Sequence, residues 1–322
     1  MSTILIGGAG FIGSRLARRL LERGEHVLVI DNLCRGRRAF LPDMPGLERL
    51  EFVEADAADS AALLRACTPF HARFPTAMVR HMAANSDIPA GIADPAVDLR
   101  DTFMTTYAVL EVMKTLGFKR LAFASSSAVY GDHGPETLLR EESGPLLPIS
   151  NYGAMKLASE ALISAAAESF LECALIFRFP NVVGTPATHG VIVDFIRKLR
   201  TSPARLEVLG NGTQQKAYLH VEELIEAMLF IEERASGNTS LYNRGPADAG
   251  CRVSDIAEAV VARVAPQAGI DYGAENRGWV GDVPKFRYGV DKLARLGWKP
   301  RLSSLEAVRR AVDEIAAQEL PC

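Results

Sequence analysis

The residues with chemical potential lie in two short stretches. Ser125-Ser126-Ser127-Ala128-Val129-Tyr130-Gly131 closes one β-rich run, and Tyr152-Gly153-Ala154-Met155-Lys156 opens a helical stretch soon after. Tyr152 and Lys156 stand four apart, so they share a helical face and an ammonium lies beside a phenol. A nearby positive charge, with a bound nicotinamide cation adding to it, lowers a phenol's affinity for its proton from an ordinary pKa of about 10. Tyr152 is therefore expected to act as a general base near neutral pH, with Lys156 as its partner and Ser126 as a hydroxyl at the same centre. Further upstream, Gly7-Gly8-Ala9-Gly10-Phe11-Ile12-Gly13 leads into a helical stretch from Ser14 to Arg23 that stops at Gly24. Glycines at 7, 10 and 13 permit a tight turn and let backbone N–H groups approach a pyrophosphate at the helix N-terminus. Asp31 ends the second apolar run, where a carboxylate can hold both ribose hydroxyls and repel a 2′-phosphate, which favours NAD over NADP. Arg35, Arg37 and Arg38 follow closely and leave a 2′-phosphate partner open. Asp56 could hold an adenine edge or cap a helix, and both readings stand.

Elements that could position these groups are legible between Thr3 and Phe179. Apolar β-rich runs at 3 to 6, 26 to 30, 50 to 54, 77 to 82, 120 to 124 and 173 to 179 alternate with amphipathic stretches. That rhythm predicts a doubly wound parallel sheet flanked by helices, an α/β dinucleotide-binding (Rossmann) domain whose ligands sit beyond the carboxyl ends of the strands. Phe11, Ile12, Asn32, Ala57, Ala83 and Phe179, near such ends, complete the candidate cofactor set. After Pro180 the rhythm changes to a helix from Val191 to Leu199, a strand and turn around Glu207 to Gly212, and helices near 222 to 234, 254 to 264 and 303 to 316. This half reads as a smaller mixed α/β lobe. No internal repeat, low-complexity tract or flexible linker separates the halves.

Bulk properties narrow the partners. The chain has 322 residues, 48% of them apolar, enough for a large core without disulfide staples. A formal charge of -3 gives no reason to expect nucleic acid or an anionic membrane, so a small molecule is the expected partner. Cys34, Cys67, Cys173, Cys251 and Cys322 are scattered without a C-x-x-C pair and read as reduced thiols; no residue cluster suggests a metal. No basic segment precedes the first apolar run and no stretch is long enough to span a membrane, so the expectation is a cytoplasmic protein.

Together these segments resemble the UDP-galactose 4-epimerase family of extended short-chain dehydrogenases, over essentially the whole chain. His81-Met82-Ala83-Ala84 is similar to the family's H-x-A-A turn, and Ser126, Tyr152 and Lys156 fall on its catalytic group. Asn181-Val182-Val183-Gly184 resembles its N-x-x-G, Leu206 to Tyr218 its nucleotide-binding hairpin, and Arg277 to Asp282 a variant of its late R-x-G-D turn. The resemblance implies NAD as cofactor, a nucleotide sugar as substrate and inversion at C4 through a transient 4-keto sugar. It implies substrate contacts from Ser126, Ser127, Tyr152, Asn181, Val191, Lys216, Arg277 and Phe286. It further implies that residues 1–179 with about 214–245 form the NAD domain, that 180–213 with about 246–322 form the sugar-nucleotide lobe, and that helices near 96 to 116 and 152 to 169 pair across a homodimer. Four positions depart from the family pattern: Ile6 for Thr, Thr102 for Asn, and Lys216 and Trp279 where diphosphate-binding arginines are common. Lysine can neutralise a phosphate as a point charge, whereas tryptophan cannot, and Arg277 is the candidate replacement. A bulky Phe286 beside the sugar's 2-substituent would disfavour an N-acetyl group. Related dehydratases and decarboxylases carry an acid just after the catalytic hydroxyl, where this chain has Ser127 and Ala128, so elimination is disfavoured. An NAD(P)-dependent reductase and a non-catalytic dinucleotide-binding protein are the alternatives.

Overall fold

Runs that are apolar without alternation become strands buried on both faces, as parallel sheets require. The computed structural model describes residues 1–41, 43, 46–278 and 283–320. Seven strands form its main sheet: β1 (Ser2–Ile6), β2 (His26–Asp31), β3 (Leu50–Glu54), β4 (Met78–His81), β5 (Arg120–Ser126), β6 (Cys173–Phe179) and β7 (Thr239–Asn243). Their order is β7-β6-β5-β4-β1-β2-β3. β1 pairs in parallel with β2 on one side and β4 on the other, Ile6 lying opposite Ile30 and His81. Ile4, Leu5, Ile6 and Val27 to Ile30 are at most 1% exposed, which places the centre of the sheet between two layers of helices. The doubly wound sheet expected from the sequence is present. Its seventh strand, β7, falls on none of the apolar runs and lies within the 214–245 segment that the family resemblance assigns to the NAD domain.

Helices α1 (Phe11–Glu22), α2 (Ser60–Arg73), α3 (Thr105–Leu116) and α4 (Asn151–Ser169) flank this sheet. Their ends follow local rules. Asp59 caps α2 by accepting from the N–H groups of Ala61 and Ala62, and Ser150 caps α4 by accepting from Gly153. A π-helical turn, Leu99–Met104, leads into α3. Leu63, Phe70, Val109, Met113, Phe118, Phe123 and Ile163 belong to the core beneath these helices.

Two compact units emerge. One comprises Met1–Val129, Leu147–Arg178 and Ile231–Tyr242; the other comprises Tyr130–Leu146, Phe179–Phe230 and the residues from Asn243 on. The second unit has its own core, in which Ile192, Phe195 and Ile196 of α5 (Val191–Thr201) meet Ile256 and Val260 of α7 (Val253–Val264) and Val308, Val312 and Ile315 of α8 (Ser304–Glu319). Between α5 and α7 in the chain lies α6 (Val221–Arg234). Ser303 and Glu306 form a capping box at the start of α8. Among the described residues no helix is long and apolar enough to cross a membrane.

Candidate active site

The glycine turn after β1 is shaped by contact. Gly7 adopts φ +77°, and a Cβ on Gly13 would lie 2.2 Å from the Gly7 carbonyl oxygen, so α1 can start this close to β1 only with glycine there. Gly10 is the N-cap of α1 without any side-chain cap, and the first turn carries no acidic residue. The first N–H groups of a twelve-residue helix thus face outward with the positive end of its dipole, as a pyrophosphate requires. Asp31 braces this loop from β2. One carboxylate oxygen accepts from the Ala9 N–H at 2.9 Å and the other from the Leu33 N–H at 2.8 Å. Each oxygen keeps lone-pair capacity for a ribose hydroxyl.

The neighbouring candidates divide by role. Asn32 accepts from the Cys34 N–H and Asp56 from the Ala58 N–H, so both make Asx turns at strand ends. The helix cap that Asp56 could have been is Asp59. Ala57 is buried, and the Ala83 backbone lies against Gly7. The three arginines left open as 2′-phosphate ligands have protein partners: Arg35 pairs with Asp87 at 2.6 Å, while Arg37 and Arg38 lie over the rings of Phe40 and Phe52.

At the end of β5 the second constellation assembles. A Cβ on Gly153 would lie 2.5 Å from the Ala128 carbonyl oxygen, so glycine lets α4 abut the turn after β5. That approach carries Tyr152 to the side of Ser126, whose hydroxyl favours the phenolate. Lys156 is 1% exposed, and its Nζ donates to the Ala124 carbonyl at 2.6 Å and lies 5.9 Å from the centre of the Tyr152 ring.

The electrostatics depart from the expectation of a phenol acidified by Lys156. Burial pushes the Tyr152 phenol up to about 12; the Ser126 hydrogen bond opposes this, and the charge of Asp98 adds to it. Burial also brings Lys156 down to about 7, against the pull of Glu160 and Asp98. The physical reason is common to both: each charged form loses hydration, and the ammonium is directed to a carbonyl instead of the phenol. Tyr152 is therefore a neutral acid at neutral pH as far as the chain's own groups decide it.

Sequence reasoning missed two carboxylates here. Asp98 is fully buried, accepts from Asn85 Nδ2 at 2.9 Å, and is brought to Tyr152 and Lys156 by the short helix Pro95–Asp98. Nothing in its spacing marks it. Glu160 lies one turn beyond Lys156 on α4, and the 152, 156, 160 stripe could have revealed it.

Tyr152, Ser126, Ser127 and Lys156 belong to the first unit, and the other candidate substrate residues to the second. Asn181 starts a short strand (Asn181–Val183) paired in parallel with Tyr218–His220, and Val191 begins α5 after Gly190. Lys216 pairs opposite Cys251 in a two-residue ladder. Arg277 reaches Asp132 at 3.0 Å, while Phe286 is 8% exposed and packs edge-on against Tyr288. Phe179, the last cofactor candidate, is buried with the Arg244 guanidinium over its ring. Trp279 and the rest of the late turn, Val280 to Asp282, lie outside the described residues, as does Cys322.

A doubly wound sheet with an open helix N-terminus beyond β1 and a carboxylate at the end of β2 defines a dinucleotide-binding α/β protein. More narrowly, the chain belongs to the NAD dependent epimerase/dehydratase family, whose model matches residues 3–245. NAD is its cofactor, and the glycine turn, uncapped α1 and Asp31 fit that group. A curated UDP-glucose 4-epimerase from Streptomyces lividans is 30% identical over 96% of this chain and 94% of its own length. A solved UDP-galactose 4-epimerase is 36% identical with a TM-score of 0.85, covering 99% of this chain and 100% of the other. The UDP-glucose 4-epimerase of Thermus thermophilus, solved in complex with NAD, is 28% identical with a TM-score of 0.83, covering 98% of each chain.

Proposed function

We propose that this chain is a nucleotide-sugar 4-epimerase that interconverts UDP-glucose and UDP-galactose through a 4-keto sugar. The observation that carries the reading is the meeting of Ser126, Tyr152 and Lys156 at the end of β5, in the same unit as the glycine turn. Tyr152 takes the proton from the sugar 4-hydroxyl and later returns it. Ser126 hydrogen-bonds the same oxygen and steers the proton. Lys156 holds the cofactor's ribose and, when charged, favours the phenolate. Bound NAD supplies the hydride acceptor at C4 and a positive charge that lowers the phenol's proton affinity. Rotation of the keto sugar between the two transfers inverts C4 without net oxidation.

Absence of an acid beside Ser126 supports epimerisation over elimination. Ala128 follows the catalytic hydroxyl by two residues, and its N–H donates to Ser126 at 3.1 Å. A dehydratase needs a group there that can protonate the departing hydroxyl. In this reading Asn181, Val191, Lys216, Arg277 and Phe286 bind the sugar nucleotide, with Lys216 and Arg277 at the diphosphate and Phe286 favouring sugars without an N-acetyl group. The protein works in the cytoplasm as a homodimer, for which the exposed Leu99 and Tyr107 provide an apolar helical face.

The test is NMR of purified protein with UDP-glucose, UDP-galactose and their N-acetyl forms, without added reductant, beside a Tyr152→Phe control. C4 interconversion that the control abolishes supports the reading. Absence of conversion with NAD bound would refute it in favour of a reductase or a non-catalytic binder.

A further inference from the structure

One face of α4 meets the end of β5 at three successive points. Tyr152 lies beside Ser126, Lys156 donates to the Ala124 carbonyl, and Glu160 accepts from Ser125 Oγ at 2.5 Å. Residues 152, 156 and 160 are one helical turn apart each, so a single stripe engages residues 124 to 126. The third contact has a backing that the other two lack. Arg178, on the adjacent strand β6, forks onto the Glu160 carboxylate, Nε to Oε1 at 3.0 Å and Nη2 to Oε2 at 2.7 Å. Ser125, Glu160 and Arg178 are each no more than 6% exposed. A bidentate guanidinium–carboxylate pair at that depth holds its geometry firmly.

We propose that Glu160, locked by Arg178, is a positioning residue: it holds the end of β5 in register with α4 and sets a carboxylate one helical turn from the Lys156 ammonium. The proposal rests on the catalytic reading of Ser126, Tyr152 and Lys156 given above. The charge argument takes in every element around Lys156. His81 faces it from β4 and is a neutral imidazole, driven down to about 3 by burial and by Lys156 itself. Asp98 faces it from the Pro95–Asp98 helix and Tyr152 from α4. Glu160 is the largest influence opposing the burial that would strip Lys156 of its proton, ahead of Asp98. A neutral amine would neither favour the Tyr152 phenolate nor hold the negative end of a ribose dipole as firmly.

Two substitutions separate the charge from the contact. Glu160→Gln keeps an acceptor for Ser125 and removes the charge, whereas Ser125→Ala keeps the charge and removes the contact. Lysine side chains labelled with 13C at Cε report the Lys156 titration directly by NMR, the resonance being assigned by its loss in Lys156→Met. In Glu160→Gln the Lys156 midpoint is expected to fall by about one pH unit, a tenfold change in acid constant, and the alkaline limb of the kcat profile to move with it. In Ser125→Ala the midpoint stays while kcat falls several-fold at every pH. Should Glu160→Gln alone not fold, Glu160→Gln with Arg178→Met removes both charges; loss of the guanidinium partly offsets loss of the carboxylate, so a smaller shift in the same downward direction is read there. A midpoint in the charge-removed protein that coincides with wild type overturns the proposal and leaves a merely structural ion pair. Full turnover by Tyr152→Phe would instead overturn the catalytic reading, and the NMR midpoint still judges Glu160 separately.

Discussion

Replacing Gly153 by alanine asks whether the approach of α4 to the β5 turn sets the rate. The new Cβ would start 2.5 Å from the Ala128 carbonyl oxygen and 3.0 Å from the Pro148 side chain. Carbon seldom comes nearer than about 3.3 Å to a carbonyl oxygen, so the helix start must retreat by about 0.8 Å. Overpacking of this kind costs about 1–3 kcal/mol, and the gain in helix propensity returns about 1 kcal/mol, leaving a net loss of about 0–2 kcal/mol. The fold should survive. Tyr152 adjoins the altered residue and moves with it relative to Ser126, and a displacement near 1 Å can cost about 100-fold in rate. The expected result is a 10- to 100-fold fall in kcat, on the order of 1.4–2.7 kcal/mol of barrier, with a melting temperature within a few degrees of wild type. The assay is UDP-glucose to UDP-galactose conversion at saturating substrate, beside thermal unfolding of the same preparation. Wild-type kcat in a folded Gly153→Ala protein would refute the claim that this contact positions the phenol.

Four other outcomes follow from buried charge and from the cofactor loop. Arg80 is 4% exposed, forks onto Glu232, and lies near Glu25 and Thr3, so Arg80→Met should cost about 3–5 kcal/mol in denaturant unfolding by stranding two carboxylates. A loss below 1 kcal/mol would show that the network contributes little. His81 has its proton affinity depressed by burial to about 3 from 6.5, so between those values the unfolded chain binds the proton and the folded one does not. Stability should therefore fall as pH drops from 6.5 toward 3, and His81→Asn should flatten that slope in unfolding measured across the window. Glu314 acts lower. Burial raises its proton affinity, but His220 and Arg310 overcome that and hold it at about 2, below the ordinary 4.5. Its stabilisation is complete above 4.5 and is lost as pH falls through 2, a dependence that Glu314→Gln should remove. Asp31→Asn keeps one acceptor for the loop and loses the charge; NAD affinity, read by calorimetry, should fall at least tenfold without a gain for NADP, because Arg35, Arg37 and Arg38 have other partners. Tight NADP binding by that variant would contradict this account.

Local pattern was enough for the framework of this protein. Apolar runs predict strands covered on both faces, and six of the seven strands fall on the apolar β-rich runs; the inner ones are buried along their length, whereas the edge strand β3 is only half-buried and carries Glu51 and Glu54. Gly7, Gly10 and Gly13 after the first run and Asp31 after the second are legible for the same reason, since turn geometry and strand ends are local properties. Tyr152 and Lys156 share a helical face at a spacing that can be read directly. Other features needed the tertiary structure because they depend on distant segments. β7 joins the sheet from residues 239 to 243, sixty positions after the end of its neighbour β6, and its short run has no signature. Asp98 reaches Tyr152 and Lys156 only through the packing of another helix, and Arg178 reaches Glu160 from an adjacent strand. What the chain's own groups do to the Tyr152 phenol also needed the tertiary structure. An i, i+4 ammonium is a nearby charge on paper, but burial acts on phenol and amine alike, and how deeply each is buried is decided by everything packed around them.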